Sequence, residues 1–308
     1  MTKVHLDTDL GGDIDDLCAL AMLLKWPDVE VTGITVVGDD RGARTSFTKY
    51  ALKVAGREDI PVKAGADISL GCYRMHLGYQ GKDYWPQNLP PADNSIDEAL
   101  GLMKQSINEG AVVVAIGPLT NLYLLDKKYP GILQKTKIFL MGGYVYPPRK
   151  GYPQWPQNYD FNLQVDVTSS KHVLENSNPM LIPLSVTVET YLRKAYLDQL
   201  EKADDLCKLI AKQAEVFDKK DKFAEKNKIY TEKLPEDIIN FQHDPLAVAI
   251  ALGYRDSITI EEFPLSFEVK DSWLQENIDP SNAKHKYKVI TSIDGDKFSE
   301  YWLKVVTS

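Results

Sequence analysis

The sequence predicts an α/β fold over residues 1–308: one domain with a central, mostly parallel β-sheet flanked by helices. Three observations predict it. Short apolar runs alternate with amphipathic helical runs, the rhythm of βαβ units. The run Ala111–Ile116 (AVVVAI) is apolar throughout, as expected of a strand covered on both faces. No linker or low-complexity tract divides the chain, and 308 residues suit one large α/β domain.

The elements follow in order. Val4 and Leu6 mark a first buried strand, and Leu17 to Leu24 a helix directly after it. Val29–Val37 reads as the second strand, and Ala43–Ala55 as a helix with Phe47, Ala51, Leu52 and Val54 inward. Ile60–Ala64 is a short strand. Ile96–Ile107 is a helix capped by Asn94 or Ser95. After the strand at 111–116, Leu119–Leu125 begins a helix. Ile138–Met141 and Met180–Leu184 read as strands around a helix near Ser169–Leu174. Residues 201–236 are charge-rich and helical, the pattern of a solvated face. From Ile258 onward the chain reads as strands, with Asp294-Gly295 as a hairpin turn and a last helix or strand near Tyr301. Residues 71–93 and 144–160 break the rhythm. Their prolines rule out a helix interior or a central strand, and their aromatic rings suit the wall of a pocket for a flat ligand.

Composition narrows the function. Hydrophobic residues make up 44% and charged residues 26%, ordinary for a soluble globular chain. A net charge of −8 argues against a nucleic-acid surface and suits a small neutral substrate. Cys18, Cys72 and Cys207 are few and far apart, without zinc spacing or a disulfide framework, so a cytoplasmic setting is expected. No leader peptide and no apolar run of membrane-spanning length is visible, so no membrane partner is expected.

Chemistry concentrates at the first strand-to-helix turn. Asp7, Asp9, Asp13, Asp15 and Asp16 put five carboxylates into ten residues, with Gly11 and Gly12 between them. Like charges packed this closely repel, and a divalent cation with oxygen ligands is the cheapest compensation. Helix capping would account for one or two of these acids, not for five. An EF-hand fails, because Cys18 stands where the loop's last Glu belongs. A second signal is Gln242–Ala249 (QHDPLAVA): Asp244 is a candidate cap or cation ligand before Pro245, and His243 a candidate proton carrier. In parallel sheets ligands sit beyond the carboxyl ends of the strands. The acidic turn, Gly38-Asp39-Asp40, Gly117-Pro118 and Gly142-Gly143 all fall there.

Five pieces together carry a resemblance: the acidic turn, Gly117-Pro118-Leu119-Thr120-Asn121, Met141-Gly142-Gly143, Asp160-Phe161-Asn162 and His243–Ala247. The chain resembles the calcium-dependent nucleoside hydrolases of the inosine–uridine-preferring type. The match runs from Asp7 to about Ala251. The resemblance implies a Rossmann-like core, a ribonucleoside substrate split by water into base and ribose, a Ca2+ cofactor, and a homo-oligomer, dimer or tetramer. It implies that Asp9 touches the cation and takes the proton of the attacking water. It gives Asp16, Asp244 and the carbonyl of Ile116 to the cation. Asp15, Asn162 and Asp244 would hold ribose hydroxyls, with Asp39 and Asp160 as further substrate contacts, and His243 would protonate the leaving base.

The sequence also departs from the family pattern. Leu10 replaces a proline, the acidic turn is two residues longer and contains Asp13, Asp39 stands for an Asn, and Asp160 for a Glu. Two other readings compete. A metal-dependent phosphatase would use Asp7 or Asp9, although Gly117-Pro118 is a poor phosphate cradle. A nucleoside- or ribose-binding protein would need no catalysis.

Overall fold

The computed structural model describes all residues except 40, 41, 69, 74–80, 82, 223, 224 and 226–231. Asp40 and His76, noted in the sequence, fall outside the described residues.

Among the described residues, nine strands form the main sheet: β1 (Thr2–Thr8), β2 (Val29–Val36), β3 (Val62–Ala64), β4 (Val112–Ala115), β5 (Ile138–Met141), β6 (Met180–Ile182), β9 (Ile258–Lys270), β10 (Trp273–Ile278) and β11 (Lys286–Ile293). Their order is β10-β9-β11-β6-β5-β4-β1-β2-β3. From β3 across to β11 every pair is parallel. Only the edge pairs β9–β11 and β9–β10 run antiparallel. The central strands are apolar because helices cover both faces: all four residues of β5 are buried. A separate antiparallel pair joins β7 (Tyr191–Arg193) to β8 (Ile238–Phe241).

The helices that matter for the site start where parallel strands end. Helix α1 (Asp15–Lys25) follows β1 and α2 (Ala43–Val54) follows β2. Helix α3 (Ile96–Asn108) opens with a capping box between Ser95 and Glu98, while Asn94 instead bonds the main chain of Ala64. Next come α4 (Thr120–Lys128), α5 (Phe161–Gln164), α6 (Val167–Asn176), α7 (Leu184–Thr187), α8 (Leu197–Lys202), α9 (Asp205–Asp221), α10 (His243–Ala251) and α11 (Gly295–Val306). Helix α10 is buried from Asp244 to Ala251 and packs on α1, which brings the two acid-bearing turns together.

Three sequence expectations are corrected. Asp294-Gly295 is not a hairpin turn: Asp294 caps α11, its carboxylate accepting from the N–H of Lys297 at 3.2 Å. Asp244 is not the cap of α10 but lies inside its first turn, after Gln242. The 201–236 stretch contains the end of α8 and all of α9, and the end of α9 reaches the central cavity. Strands β7 and β8 are too short to show a period in the sequence.

Candidate active site

A cavity of about 580 Å3 opens at the carboxyl edge of the sheet. Its floor holds Asp9, Asp13, Asp15, Asp16, Ile116, Asn162, His243 and Asp244. Trp155, Tyr159, Phe161, Phe217 and Phe241 form an aromatic wall, and Arg44, Asn240 and Asp221 also line the space.

The floor is built from strand ends. Strand β1 stops at Thr8, whose hydroxyl accepts the N–H of Leu10 at 3.1 Å and donates to Asp16 Oδ1. That hydroxyl therefore links the strand end to the first turn of α1. Gly11 turns the chain at φ 109°, and a Cβ there would meet the Phe47 ring at 2.7 Å. Gly117 follows β4 so closely that a Cβ would lie 2.9 Å from both the N–H nitrogen and Oδ1 of Asp9. The amide of Asn162 donates to the carbonyls of Ile116 and Met141, 3.1 Å each, and so ties the ends of β4 and β5 to α5.

Carboxylate oxygens of Asp15, Asp16 and Asp244 lie within 4.8 Å of one another, and all three residues are buried. Burial is the first cause that holds their carboxyl groups well above the usual range; for Asp15 and Asp244 the neighbouring carboxylates come next, as Asp9 does for Asp16. Burial likewise raises Asp9, opposed by Arg44, and lifts Asp13 to about 6. Carboxylates that resist ionisation alone are stabilised by a cation, and an all-oxygen donor set suits a hard one such as Ca2+ or Mg2+. Asp15, read from sequence as a ribose contact, is here as near to Asp16 and Asp244 as a third ligand would be.

Sequence-assigned residues divide into two groups. Asp9, Asp15, Asp16, Ile116, Asn162, His243 and Asp244 share the cavity. Asp39 and Asp160 do not line it. Asp39 is fully buried and binds the first turn of α2 from before its N-cap Gly42, accepting from the N–H of Arg44 (2.8 Å) and Thr45 (3.0 Å) and from the Thr45 hydroxyl (2.6 Å). Asp160 caps α5 and accepts from the N–H of Gly143 at 2.6 Å. Behind it stands buried Glu276, held up to about 8 by burial first and by the Asp160 charge second. Burial holds Asp160 itself up to about 6. Asp7, one of the two acids named for a phosphatase, also lies outside the cavity. Its Oδ1 accepts from Thr35 (2.5 Å) and Asn121 (2.7 Å), bonds that work against the burial that lifts it to about 7.

His243 Nδ1 lies 2.7 Å from the Thr187 hydroxyl, and its ring sits 5.3 Å from that of Phe241. Burial lowers the imidazole to about 3, so a neutral ring is its resting form. Of the aromatic loop, Trp155 and Tyr159 face the cavity and stack at 5.6 Å, whereas the Tyr146 hydroxyl bonds the carbonyl of Ile290. The loop is anchored by Arg149, which donates to the buried Glu189 (Nε to Oε1, 2.6 Å) and to the carbonyl of Ile293 (2.9 Å). From the 71–93 stretch, Tyr84 and Trp85 join the core, Trp85 stacking on Phe47 at 4.8 Å.

Compared with known proteins, residues 4–300 match the family model described as inosine-uridine preferring nucleoside hydrolase. The chain belongs to that family. An uncharacterised protein of Schizosaccharomyces pombe is 26% identical over 97% of this chain and 96% of its own length. A non-specific ribonucleoside hydrolase, RihC, of Klebsiella pneumoniae is 27% identical over 67% of this chain and 69% of its own. Among solved structures, a plant nucleoside hydrolase superposes with a TM-score of 0.76 at 22% identity, covering 100% of this chain and 99% of that one. As a nucleoside hydrolase, the chain is an enzyme that cleaves the N-glycosidic bond of ribonucleosides.

Several lining residues of this nucleoside hydrolase are not singled out by its sequence. Phe217 and Asp221 sit at the end of a charge-rich helix, and Asn240 and Phe241 in a strand of four residues. Asn240 donates to Asp13 Oδ1 at 2.6 Å, so the longer acidic turn is fastened to β8. Nothing in the sequence separates Arg44 from an ordinary surface cation of an amphipathic helix, yet it is 1% exposed.

Proposed function

We propose that the chain, acting as one unit over residues 1–308, hydrolyses ribonucleosides with a divalent cation, Ca2+, held by Asp9, Asp16, Asp244 and the carbonyl of Ile116. The observation that carries this reading is the buried Asp15–Asp16–Asp244 cluster on the floor of an aromatic-walled cavity. When bound, the cation supplies Lewis acidity to a coordinated water and to ribose hydroxyls.

The chain's own residues do the rest. Asp9 takes a proton from the attacking water. Asp15, Asp244 and Asn162 hold the sugar through its hydroxyls. Carboxylates beneath the ring stabilise the positive charge that develops at C1 as the bond to the base breaks. His243, neutral at rest, relays a proton to the departing base, taking one up at one ring nitrogen as it gives one from the other, and Trp155 and Tyr159 cover that base and keep water from it. Asp39 and Asp160 act through the main chain they bond. A cytoplasmic enzyme assembled from two or four copies completes the proposal.

The test is a reducing-sugar assay over purine and pyrimidine ribonucleosides, with and without a chelator. Release of free base and ribose, lost on chelation and restored by Ca2+, is the expected result. Binding without release would favour a ribonucleoside-binding protein, and release that is indifferent to chelation would remove the cation.

A further inference from the structure

We propose that Arg44 is a positioning residue for Asp9: its guanidinium fixes the main chain that carries Asp9 and so aims the carboxylate at the water it deprotonates. The inference rests on the reading of Asp9 as the base given above.

Arg44 ties two strand ends together. Its Nε donates to the carbonyl of Gly38, after β2, at 3.2 Å. Its Nη1 donates to the carbonyl of Asp9, after β1, and stands 3.9 Å from Asp9 Oδ2. A guanidinium is a rigid planar fork, so two bonds from different nitrogens fix its orientation in a way that a lysine cannot copy. The root of the side chain is fixed as well. Asp39 accepts the N–H of Arg44, and the Thr48 hydroxyl donates to its carbonyl at 3.0 Å. Gly42 precedes α2 at φ 77°, where a Cβ would meet the main chain of Ala92 at 2.4 Å, so the approach of this helix leaves no slack.

Charge explains why Asp9 needs such support. Among the described residues lining the cavity, Arg44 is the one Lys or Arg, against six aspartates. Repulsion from Asp13, Asp15, Asp16 and Asp244 would swing Asp9 away from them wherever neither the cation nor the arginine held it. Small displacements of a reacting group are expensive, about 10²-fold in rate for 1 Å. Asp39 then acts at one remove, orienting the arginine rather than the substrate.

The experiment uses the full chain loaded with Ca2+. Arg44→Ala should lower kcat about 10²-fold with KM changed less than about 3-fold. Bound calcium per chain should stay at the wild-type value. Added ethylguanidinium should restore Arg44→Ala saturably, and ethylammonium should not. Arg44→Lys keeps charge without the fork and should remain closer to Arg44→Ala than to wild type. Combining Arg44→Ala with Asp9→Asn should be no slower than Asp9→Asn alone, because both act through one carboxylate. A loss in KM with kcat intact, a loss of calcium, additive losses in the double variant, or variants that all fail to fold would each make Arg44 a structural brace and overturn the proposal. Full turnover by Asp9→Asn would instead retire the reading of Asp9 as the base. A dead Asp9→Asn beside a fully active Arg44→Ala would sink the arginine alone.

Discussion

The floor and the wall of the cavity are built on opposite plans. Most floor groups are short polar side chains or carbonyls that follow parallel strands, while His243 and Asp244 open α10 after the antiparallel β8; neighbours lock them, such as Thr8 on Asp16 and Asn162 on Ile116. The wall is made of large rings from a loop, a 3-10 turn and the ends of α5, α9 and β8, held mainly by one another and by the Arg149–Glu189 anchor. The sheet holds most of the floor still, whereas Trp155, Tyr159, Phe161 and Phe217 stand on loop, turn and helix segments outside the strands. Floor changes should therefore alter the rate on all nucleosides, and wall changes should alter which base is preferred.

The largest expected effect is on the floor. Asp9→Asn should cut kcat by about 10³-fold or more for every nucleoside, with KM little changed, since base action is realised in the transition state. A base-dependent loss would break the division between floor and wall.

His243 stands at the junction. His243→Ala should slow natural nucleosides by about 10²-fold or more, and barely affect a p-nitrophenyl riboside, whose leaving group needs no proton. Equal losses on both substrates would show that His243 positions the sugar or the aromatic loop instead.

A smaller, selective effect belongs to the wall. Trp155→Ala should raise KM about 10-fold, unequally for purine and pyrimidine nucleosides, as expected for lost ring stacking. A uniform fall in kcat would show that the wall also aligns the sugar.

The smallest effect on turnover should come from the buried pair behind the floor. Glu276 titrates near 8 in the folded chain against an ordinary 4.5, and Asp160 near 6 against 3.8. Between those values the folded state binds the extra proton. The stability supplied by Glu276 is thus complete below about pH 4.5 and is lost as pH rises through about 8. Glu276→Gln should melt above wild type at pH 9 and converge with it at pH 4, with kcat on nucleosides unchanged. A parallel offset at all pH values would remove the titration as the cause.

The same division explains what the sequence discloses. The parallel core was legible because strands covered on both faces leave unbroken apolar runs such as Ala111–Ile116. The metal-competent floor was legible because its acids are neighbours in sequence and their repulsion demands an explanation. Asp39 and Asp160 read like the floor acids because a carboxylate at a helix start looks the same whether it faces a ligand or caps a helix. The wall was half legible. Trp155 and Tyr159 stand out in a proline-rich loop, but Phe217 and Phe241 lie in ordinary amphipathic or apolar runs. Arg44 carried no local signal, because its partners at Gly38 and Asp9 are a matter of tertiary packing.

Gly117 bears on how far such an enzyme can be varied. Its backbone is crowded against Val37 and Asp9, so even one methyl group there would push on Asp9. The residue contributes no side-chain charge, donor or ring, yet its missing Cβ leaves room for Asp9. Alanine at this position is the mildest change available by size, and it should act as a wedge under Asp9. Tolerance to substitution here is governed by clearance, not by chemistry, and a residue with no side chain becomes one of the least replaceable in the chain.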